Sequence, residues 1–258
     1  MAEHILPHIV NRPLSLVRCP GGIQKECFFQ KHAWAGLDND LVRRVKVSDD
    51  EAVAIQDLAG LLALVQAGVL EIHPWGSTLK NPEKPNRLVF DLDPGDGVGW
   101  DAVVQGAVDV RDHLQGLGLV SLVRTPGGKG LHVVVPVRPS ASWDGAKTFA
   151  ADVAAAMAKA SPALYTDTMA KRARTGRIFI DYLRNGRGAT AVAAYSTRAR
   201  AGAPLSTPIT WEELPAIRSG NQYRIGNLAA RLSHLHGDPW ADFGNVDQMI
   251  PKAGRRRR

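Results

Sequence analysis

The sequence predicts a mixed α/β (α+β) fold, in which helices flank a mixed central sheet. Two observations predict it: apolar strand-like runs end in glycine- or proline-containing turns, and the segments Asp49–Ala67 and Trp100–Leu117 repeat apolar residues at helical spacing, with a further alanine-rich segment at Trp143–Ala160. We detect no internal repeat and no clear domain boundary in the 258 residues. The expectation is one domain over residues 1–250, followed by a basic tail over residues 251–258.

Each element is predicted from its local pattern. The start Ser48-Asp49-Asp50 can cap the first long helix, and glycines near position 117 end the second. Turn residues from Thr125 to Gly130 separate two apolar runs, which are therefore predicted to form a hairpin. The predicted elements are strands at Leu14–Arg18 and Glu26–Gln30, a helix at Asp49–Ala67, a strand at Leu88–Asp93, a helix at Trp100–Leu117, a hairpin of Leu119–Arg124 and Leu131–Val137, a helix at Trp143–Ala160 and a strand at Arg177–Leu183.

The charge of the chain favours a polyanionic partner. A net charge of +7 and a pI near 9.6 are typical of proteins that bind nucleic acid. The basic residues cluster in short runs, at Arg43–Lys46, Lys171–Arg177, Arg184–Arg187, Arg198–Arg200 and Arg255–Arg258.

Targeting and cysteine signals indicate the compartment. The apolar runs are too short to cross a bilayer and the start lacks a secretory signal, so we expect a cytoplasmic protein without a membrane partner. Cys19 and Cys27 fit a reducing compartment. A disulfide or a metal pair is open to them, but two inert thiols are the favoured interpretation.

The segment Leu88–Gly97 contains the most informative motif. An apolar strand ends in Asp91 and Asp93, which project on the same side because strand side chains alternate, ~6.6–6.8 Å apart along the strand. Paired carboxylates at a strand end suggest a magnesium or manganese site, since hard cations take oxygen ligands. The alternative is a solvated strand end that runs into an acidic turn.

A third carboxylate lies in the apolar strand Arg177–Leu183. Burying Asp181 there is costly unless it is paired or coordinated. The structural interpretation pairs it with nearby Arg184. The functional interpretation brings it beside Asp91 and Asp93, where three carboxylates could hold two cations for phosphoryl transfer.

Two further motifs carry candidate ligand groups. The glycine-rich turn at residues 125–130 can bring backbone N–H groups close to an anion, with Lys129 and His132 beside it. It lacks the spacing of a Walker A loop, and alone it would be a structural turn. Similarly, His73 alone would be a packed loop histidine beside an aromatic residue.

Taken in order, five motifs identify a resemblance that no single motif would support. They are His73-Pro74-Trp75, Leu88–Gly97, Gly127–His132, Phe179–Asn185 and Tyr195–Arg200. Together they resemble the polymerase domain of bacterial DNA ligase D, a member of the archaeo-eukaryotic primase superfamily that acts in non-homologous end joining. The resemblance runs from about Arg12 to about Trp240, nearly the whole chain.

The resemblance implies a primase-like catalytic core with an active-site cleft, and a template-directed nucleotidyltransferase. Such an enzyme adds ribo- or deoxyribonucleotides, from NTP or dNTP, to DNA 3′ ends and gaps. Asp91, Asp93 and Asp181 would be catalytic and would bind Mn²⁺ or Mg²⁺, two ions in all, with Asp181 nearest the primer 3′-hydroxyl. The implied nucleotide contacts are His73, Lys129, His132, Arg184, Arg198 and Arg200.

The resemblance also implies partners. Phe28, Phe29 and Lys31 would contact DNA, the two aromatic rings by stacking on a base, although burial of these rings in the core is an equal alternative. DNA ends and gaps, a Ku-like end-binding protein and a ligase in cis or in trans are the expected partners. The implied location is cytoplasmic, with the bacterial nucleoid.

Two features depart from the family pattern. Pro126 stands where family members commonly have Ser, which would remove one hydrogen bond to the nucleotide phosphates. The family also begins with a further strand and helix that recognise the 5′-phosphate of a gap, and we expect that segment to be missing before Ile5–Val10. Two alternatives therefore stay open: a non-catalytic DNA-end or nucleotide-binding module, and a metal-dependent nuclease or phosphoesterase, against which Lys129 and His132 argue.

Overall fold

A computed structural model describes residues 1–37, 40–48 and 50–251 and shows a mixed α/β protein built on two sheets. Its α-helices are α1 (Ala2–Ile9), α2 (Leu58–Gln66), α3 (Trp100–Gly116), α4 (Trp143–Ala160) and α5 (Ile225–Ser233). Its strands are β1 (Leu14–Arg18), β2 (Phe28–Gln30), β3 (Arg43–Val47), β4 (Asp50–Ala54), β5 (Val69–Pro74), β6 (Arg87–Pro94), β7 (Leu122–Thr125), β8 (Leu131–Pro136), β9 (Tyr165–Thr166), β10 (Ile178–Asp181) and β11 (Thr207–Ile209).

The larger sheet has the strand order β11-β7-β8-β6-β10-β9 and is antiparallel except for the β10–β9 pair. The predicted hairpin is present as β7 and β8, joined through the glycine-rich turn. Strand β6 lies between β8 and β10, so its end is flanked by two partner strands.

Alternation along β6 separates the core from the site. Leu88, Phe90 and Leu92 are fully buried in a core formed with α3 and α4. Val89 points to the other side, into a second core that includes residues of the smaller sheet. Because side chains on a strand alternate, Asp91 lies on the same side as Val89, between the two sheets.

The smaller sheet is formed by β1 to β5. Strand β5 pairs antiparallel along the whole of β1, so that Ser15 lies opposite His73. Strand β2 pairs with the second half of β1, and β4 connects the start of β1 to β3. This sheet therefore forms a wall that carries His73 of β5 and Phe29 of β2 on the same side.

The prediction of a helix over Asp49–Ala67 is wrong in its first half. Asp50–Ala54 is strand β4, which pairs antiparallel with β3, and its last three residues are buried. The helix begins later and is capped by Asp57, whose Oδ1 accepts a hydrogen bond of 3.0 Å from Gly60 N. Pairing with β3 and burial in the core override the local helical spacing. The expected cap at Asp49 lies outside the described residues.

The expectation of two inert thiols is also wrong, because Cys19 and Cys27 form a disulfide. The pairing of Arg18 with Phe28 in β1 and β2 brings the next residue on one strand and the preceding one on the other to a Cα–Cα distance of 4.4 Å. The two cysteines therefore no longer support a reducing compartment.

The described residues test two other expectations only in part. No helix in the described ranges is both long enough and apolar enough to cross a bilayer. The basic tail predicted for residues 251–258 lies outside the described residues from position 252 onward. The single-domain assignment over residues 1–250 stays a prediction.

Candidate active site

The three predicted carboxylates meet at the end of β6. Asp91 lies directly opposite Asp181 on β10 and opposite His132 on β8. Asp93 follows two residues later on the same side of β6, where the strand reaches solvent. The exposed fraction of the side chain rises from 19% for Asp91 to 49% for Asp93, so the cluster is buried at one end and open at the other.

Two arginines form ion pairs with this cluster. Arg184 Nε lies 3.1 Å from Asp181 Oδ2 and 3.5 Å from Asp91 Oδ2, so one guanidinium spans two carboxylates. Arg174 Nη1 donates to Asp93 Oδ2 at 2.6 Å. The Asp181–Arg184 ion pair and the clustering with Asp91 were alternatives from the sequence, and the structure contains both.

The three carboxylates differ in how strongly the folded protein favours their ionised form. Burial would raise the pKa of Asp91, but His132, Arg184 and Arg124 overcome this and lower it to about 2. Burial and the charge of Asp91 raise the pKa of Asp181 against the opposing effect of Arg184. Burial and Asp91 also raise the pKa of Asp93, against Arg174. Two of the three groups therefore retain unfavourable like charge that a further cation would relieve.

The donor set suits a hard divalent cation. Carboxylate oxygens are the ligands that Mg²⁺ and Mn²⁺ prefer. Among the described side chains, however, no group of three or more His, Cys, Asp and Glu is arranged as a complete metal site. The arginines occupy the carboxylate oxygens instead, and because the side chain of Arg184 is 44% exposed it has solvent into which it can turn.

A buried histidine supports the cluster from β8. Arg124 donates from Nη2 to His132 Nδ1 at 3.0 Å, and because a guanidinium has no acceptor, Nδ1 must be unprotonated. Burial lowers the pKa of His132 despite the opposing charge of Asp91. The neutral ring therefore carries its proton on Nε2, which lies 3.4 Å from Asp91 Oδ1.

The glycine-rich turn between β7 and β8 lies beside the carboxylates. A Cβ on Gly130 would lie 1.8 Å from Leu92 O, so only glycine fits against β6 at this point. Gly127 has a φ of +69° and lies beside Arg198. Lys129 is exposed, and its charge acts on Asp93. The turn thus presents one free ammonium group next to the acidic cluster.

A second polar group lies on the opposite wall. Glu71 Oε2 accepts hydrogen bonds from His73 Nε2 at 2.8 Å and from Arg198 Nε at 2.9 Å. Arg198 Nη1 also donates to Pro126 O at 2.7 Å, so this arginine connects β5 to the glycine-rich turn. Arg200 is exposed, and a Cβ on Gly128 would lie 3.4 Å from its Nη1. Both arginines therefore line the turn that holds Lys129.

The aromatic residues of β2 are exposed, which decides against their burial in the core. Phe28 and Phe29 are 42% and 49% exposed. The Phe29 ring lies edge-on to His73 with centroids 5.4 Å apart, and Arg18 lies 5.6 Å from the centre of the Phe28 ring. Lys31 is exposed directly after β2. The two rings therefore form an aromatic edge, with Phe29 on the His73 side of β2 and Phe28 on the opposite side beside Arg18.

Comparison with known proteins assigns the family. Residues 1–240 match the family model described as LigD, primase-polymerase domain. The chain belongs to the LigD primase-polymerase family.

Individual relatives agree with this. The multifunctional non-homologous end joining protein LigD of Pseudomonas aeruginosa is 40% identical over 99% of the chain and 31% of its own length. The Mycobacterium tuberculosis LigD protein is 37% identical over 94% of the chain and 34% of its own length. The chain therefore spans about a third of the length of these relatives.

A solved structure confirms the predicted fold class. The polymerase domain of M. tuberculosis ligase D, in complex with DNA, matches with a TM-score of 0.85 and 34% identity over 95% of this chain and 88% of that one. The recognition of a ligase D polymerase domain from the order of five motifs is likewise confirmed.

Several residues of this LigD primase-polymerase site were missed from the sequence. Asn185 accepts a hydrogen bond from Val89 N and donates one to Val89 O, which continues the strand contacts of β6 beyond the end of β10. Glu71 lies two residues before His73 on one strand, a spacing that puts both on one side and could have indicated the pair. Arg174 gave no local signal, because its partner Asp93 comes from a distant segment, whereas Arg124 lies opposite His132 in the predicted hairpin, a pairing that its register could have indicated.

Pro126 has a defined contact in this LigD primase-polymerase chain. Its carbonyl accepts the hydrogen bond from Arg198, while the proline ring leaves no side-chain hydroxyl at this position. The expected loss of one hydrogen bond to nucleotide phosphates stays a prediction.

The Glu71 cluster predicts a pH-dependent stability. Burial would raise the pKa of Glu71, but His73, Arg198 and the backbone of Ala199 lower it from 4.5 to about 2. Because the folded pKa is depressed, the stabilisation is present above about pH 4.5 and is lost as the pH falls towards 2. We expect it to be about 3 kcal/mol.

The substitution Glu71→Gln tests this expectation. Wild type should lose its stability advantage over Glu71→Gln between pH 4.5 and 2, as measured by urea unfolding at each pH. The matched control is Glu51→Gln, which alters an exposed glutamate on the same sheet. An advantage over Glu71→Gln that is independent of pH would show that the charge of Glu71 does not stabilise the fold.

Proposed function

We propose that this chain is a template-directed, divalent-metal-dependent nucleotidyltransferase that adds ribo- or deoxyribonucleotides to DNA 3′ ends and gaps. The observation that carries the proposal is the register of β6 and β10, which places Asp181 opposite Asp91 with Asp93 beside them. Membership of the LigD primase-polymerase family supports it. Double-strand break repair by non-homologous end joining is the proposed context, since the curated relatives carry that name.

Asp91, Asp93 and Asp181 would hold the divalent cations, Mn²⁺ or Mg²⁺. When bound, these cations supply charge neutralisation at the attacking and leaving oxygens of phosphoryl transfer. The raised pKa values of Asp93 and Asp181 support this assignment, because a cation would offset the repulsion from Asp91. Arg184, which now spans Asp91 and Asp181, would turn away towards the nucleotide.

The residues of the glycine-rich turn would bind the triphosphate. Lys129 offers a mobile positive charge, and the neutral His132 offers a proton on Nε2, which lies 3.4 Å from Asp91 Oδ1. Arg198 and Arg200 would add guanidinium groups along the turn, where planar forks suit phosphate oxygens. These groups hold the nucleotide in line for attack, and positioning of this kind accounts for much of the catalysis in such reactions.

Glu71 fixes the opposite wall. Its ionised carboxylate accepts hydrogen bonds from His73 Nε2–H and Arg198 Nε–H, so both side chains are held in one orientation before nucleotide binds. His73 would then contact the nucleotide through its ring face or its other nitrogen. Preorganisation of this kind lowers the ordering cost of binding.

The aromatic edge would contact the DNA end. Phe28 and Phe29 are exposed, Phe29 beside His73 and Phe28 beside Arg18, and an exposed ring can stack on an unpaired base. Lys31 and the basic runs would contact phosphates, which predicts affinity that falls with salt.

The substitution Phe29→Ala is expected to weaken DNA-end binding about 5- to 150-fold, because stacking on one base contributes ~1–3 kcal/mol. Stability should change little, since the ring is half exposed. Fluorescence anisotropy with a gapped duplex measures the affinity. The control is Leu62→Ala, an exposed apolar residue on α2, which should bind as wild type does. Equal binding by Phe29→Ala would remove the aromatic edge from the DNA site.

Further partners follow from the same proposal. A Ku-like end-binding protein and a ligase, in cis or in trans, would act with this activity at a break. The relatives' names describe multifunctional end-joining proteins, of which the chain matches about a third.

A primer-extension assay tests the proposal. The purified chain is incubated with a 5′-phosphorylated gapped DNA, manganese or magnesium, and each ribo- or deoxyribonucleotide in turn. Metal-dependent lengthening of the primer supports the polymerase and reports its sugar preference. Primer shortening would instead support the nuclease alternative, and binding without any product would support a non-catalytic module.

A further inference from the structure

Three buried arginines lie behind the carboxylate cluster, between the two sheets. Arg12, Arg87 and Arg124 are 5%, 6% and 2% exposed. The charges of all three arginines lower the pKa of the buried His8, and the charges of Arg12 and Arg124 also lower the pKa of Arg87, so the three groups lie close together. The structure therefore concentrates three guanidinium groups in one interior region.

No salt bridge balances this charge within residues 1–37, 40–48 and 50–251. Arg12 donates to neutral oxygens, Ser77 O at 3.0 Å and Asn86 Oδ1 at 2.8 Å. Arg124 donates to the neutral His132, and Asp91 is the carboxylate whose charge reaches it. Burying a charged group without a partner is strongly unfavourable, so an additional anion would stabilise the cluster.

Arg87 is the least satisfied of the three. Its Nε and Nη2 are buried and make no hydrogen bond in the described structure. The Phe243 ring lies 5.0 Å from its Cζ and offers a weak cation–π contact in place of a hydrogen bond. Because arginine stays protonated in proteins, two buried donors on a full positive charge remain without an acceptor.

Arg87 also lines a small cavity. It is lined by Arg87, Arg124 and Arg184 together with small or apolar residues of β5, β6 and the segment after Gly188. Its volume open to the centre of a water molecule is about 10 Å³, which is room for a single water-sized particle. A tetrahedral oxyanion such as phosphate is too large for it.

We infer that this cavity is a binding site for one small monovalent anion of chloride size, held by Arg87 and Arg124. The three guanidinium groups supply the charge, Arg87 supplies the free donors, and the volume sets the size of the ligand. A water molecule would fill the space but would leave the charge unbalanced. The inference is independent of the proposed nucleotidyl transfer.

Thermal unfolding in different sodium salts tests the site. Wild type should show a saturable rise in Tm of about 2–4 °C in chloride or bromide over gluconate at equal ionic strength, at a few times the dissociation constant. Arg87→Met, which keeps an unbranched apolar side chain and removes the guanidinium charge, should lose this rise. The control Arg43→Met removes an exposed arginine and should keep it.

Stability in gluconate gives a second readout. Arg87→Met should be at least as stable there as wild type, because an unbalanced buried charge has been removed. If Arg87→Met fails to fold, Val89→Ile replaces it, since one added methylene at a residue lining the cavity should exclude the anion while every arginine stays. A halide-dependent rise that persists in the folded variants would overturn the assignment.

Bromide locates the anion directly. Crystals of wild type grown in bromide should show an anomalous peak in hydrogen-bond contact with Arg87, and crystals of Val89→Ile should lack it. A water molecule without anomalous signal at that position in wild type would overturn the inference.

Discussion

Asp181→Asn is expected to lower the rate of nucleotide addition at least about 1,000-fold. Asp181 lies opposite Asp91 across the β6–β10 pair, and the substitution removes one of the charges proposed to hold the cations. Single-turnover extension of a gapped primer measures the effect on the chemical step. Saturating nucleotide separates it from an effect on binding.

The fold should survive this substitution. Burial and the charge of Asp91 raise the pKa of Asp181, so its ionised form is disfavoured in the folded chain, and a neutral isostere should leave the Tm unchanged or raise it. Asn also keeps an oxygen for the hydrogen bond from Leu183 N. The control Asp152→Asn alters an exposed aspartate on α4 and should keep full activity. Full activity in Asp181→Asn would exclude Asp181 from the reaction.

His132→Asn is expected to lower extension about 100- to 1,000-fold, and His132→Gln to lower it less. Arg124 fixes the ring with its proton on Nε2, which lies beside Asp91. A Gln side chain can place an N–H near the position of Nε2, whereas Asn reaches only as far as Nδ1. Losses of this size accompany removal of one preorganised donor.

The comparison of these two variants is measured as kcat and KM for the nucleotide. Loss of a phosphate contact made before reaction raises KM, and loss of a contact made only during reaction lowers kcat. His113→Asn, on the partly exposed end of α3, is the control and should leave both constants unchanged. Equal activity of the Asn and Gln variants would show that the position of the proton on His132 has no role.

The sequence predicted elements whose pattern is local. The helix at Trp143–Ala160 has the predicted bounds, and β6, β7 and β8 lie within a residue or a few of their predicted positions. The failure at Asp50–Ala54 has a tertiary cause, because pairing with β3 decides the conformation of a segment whose spacing also fits a helix. The disulfide depends in the same way on the register of β1 and β2.

The residues of the candidate site likewise divide into those that have a local sequence signal and those that have none. Asp91 and Asp93 could be predicted because residues two apart on one strand point to the same side. Asp181 could be predicted because a lone carboxylate in an apolar strand needs a partner. Arg174 could not be predicted, since it meets Asp93 only through the folded chain, and Arg124 was missed because the register of the predicted hairpin, which sets it opposite His132, was not assigned. The exposure of Phe28 and Phe29 was also undetermined, because aromatic strand residues fit a core as well as an edge.

Templated filling of a single-nucleotide gap tests the central claim most directly. Four duplexes that differ only in the unpaired template base are each incubated with wild type, the divalent cation and one nucleotide at a time, and the primer lengths are resolved. The account predicts that wild type adds one nucleotide when it complements the template base and that Asp181→Asn adds none. Addition by Asp181→Asn at the wild-type rate, or addition by wild type that ignores the template base, would contradict it.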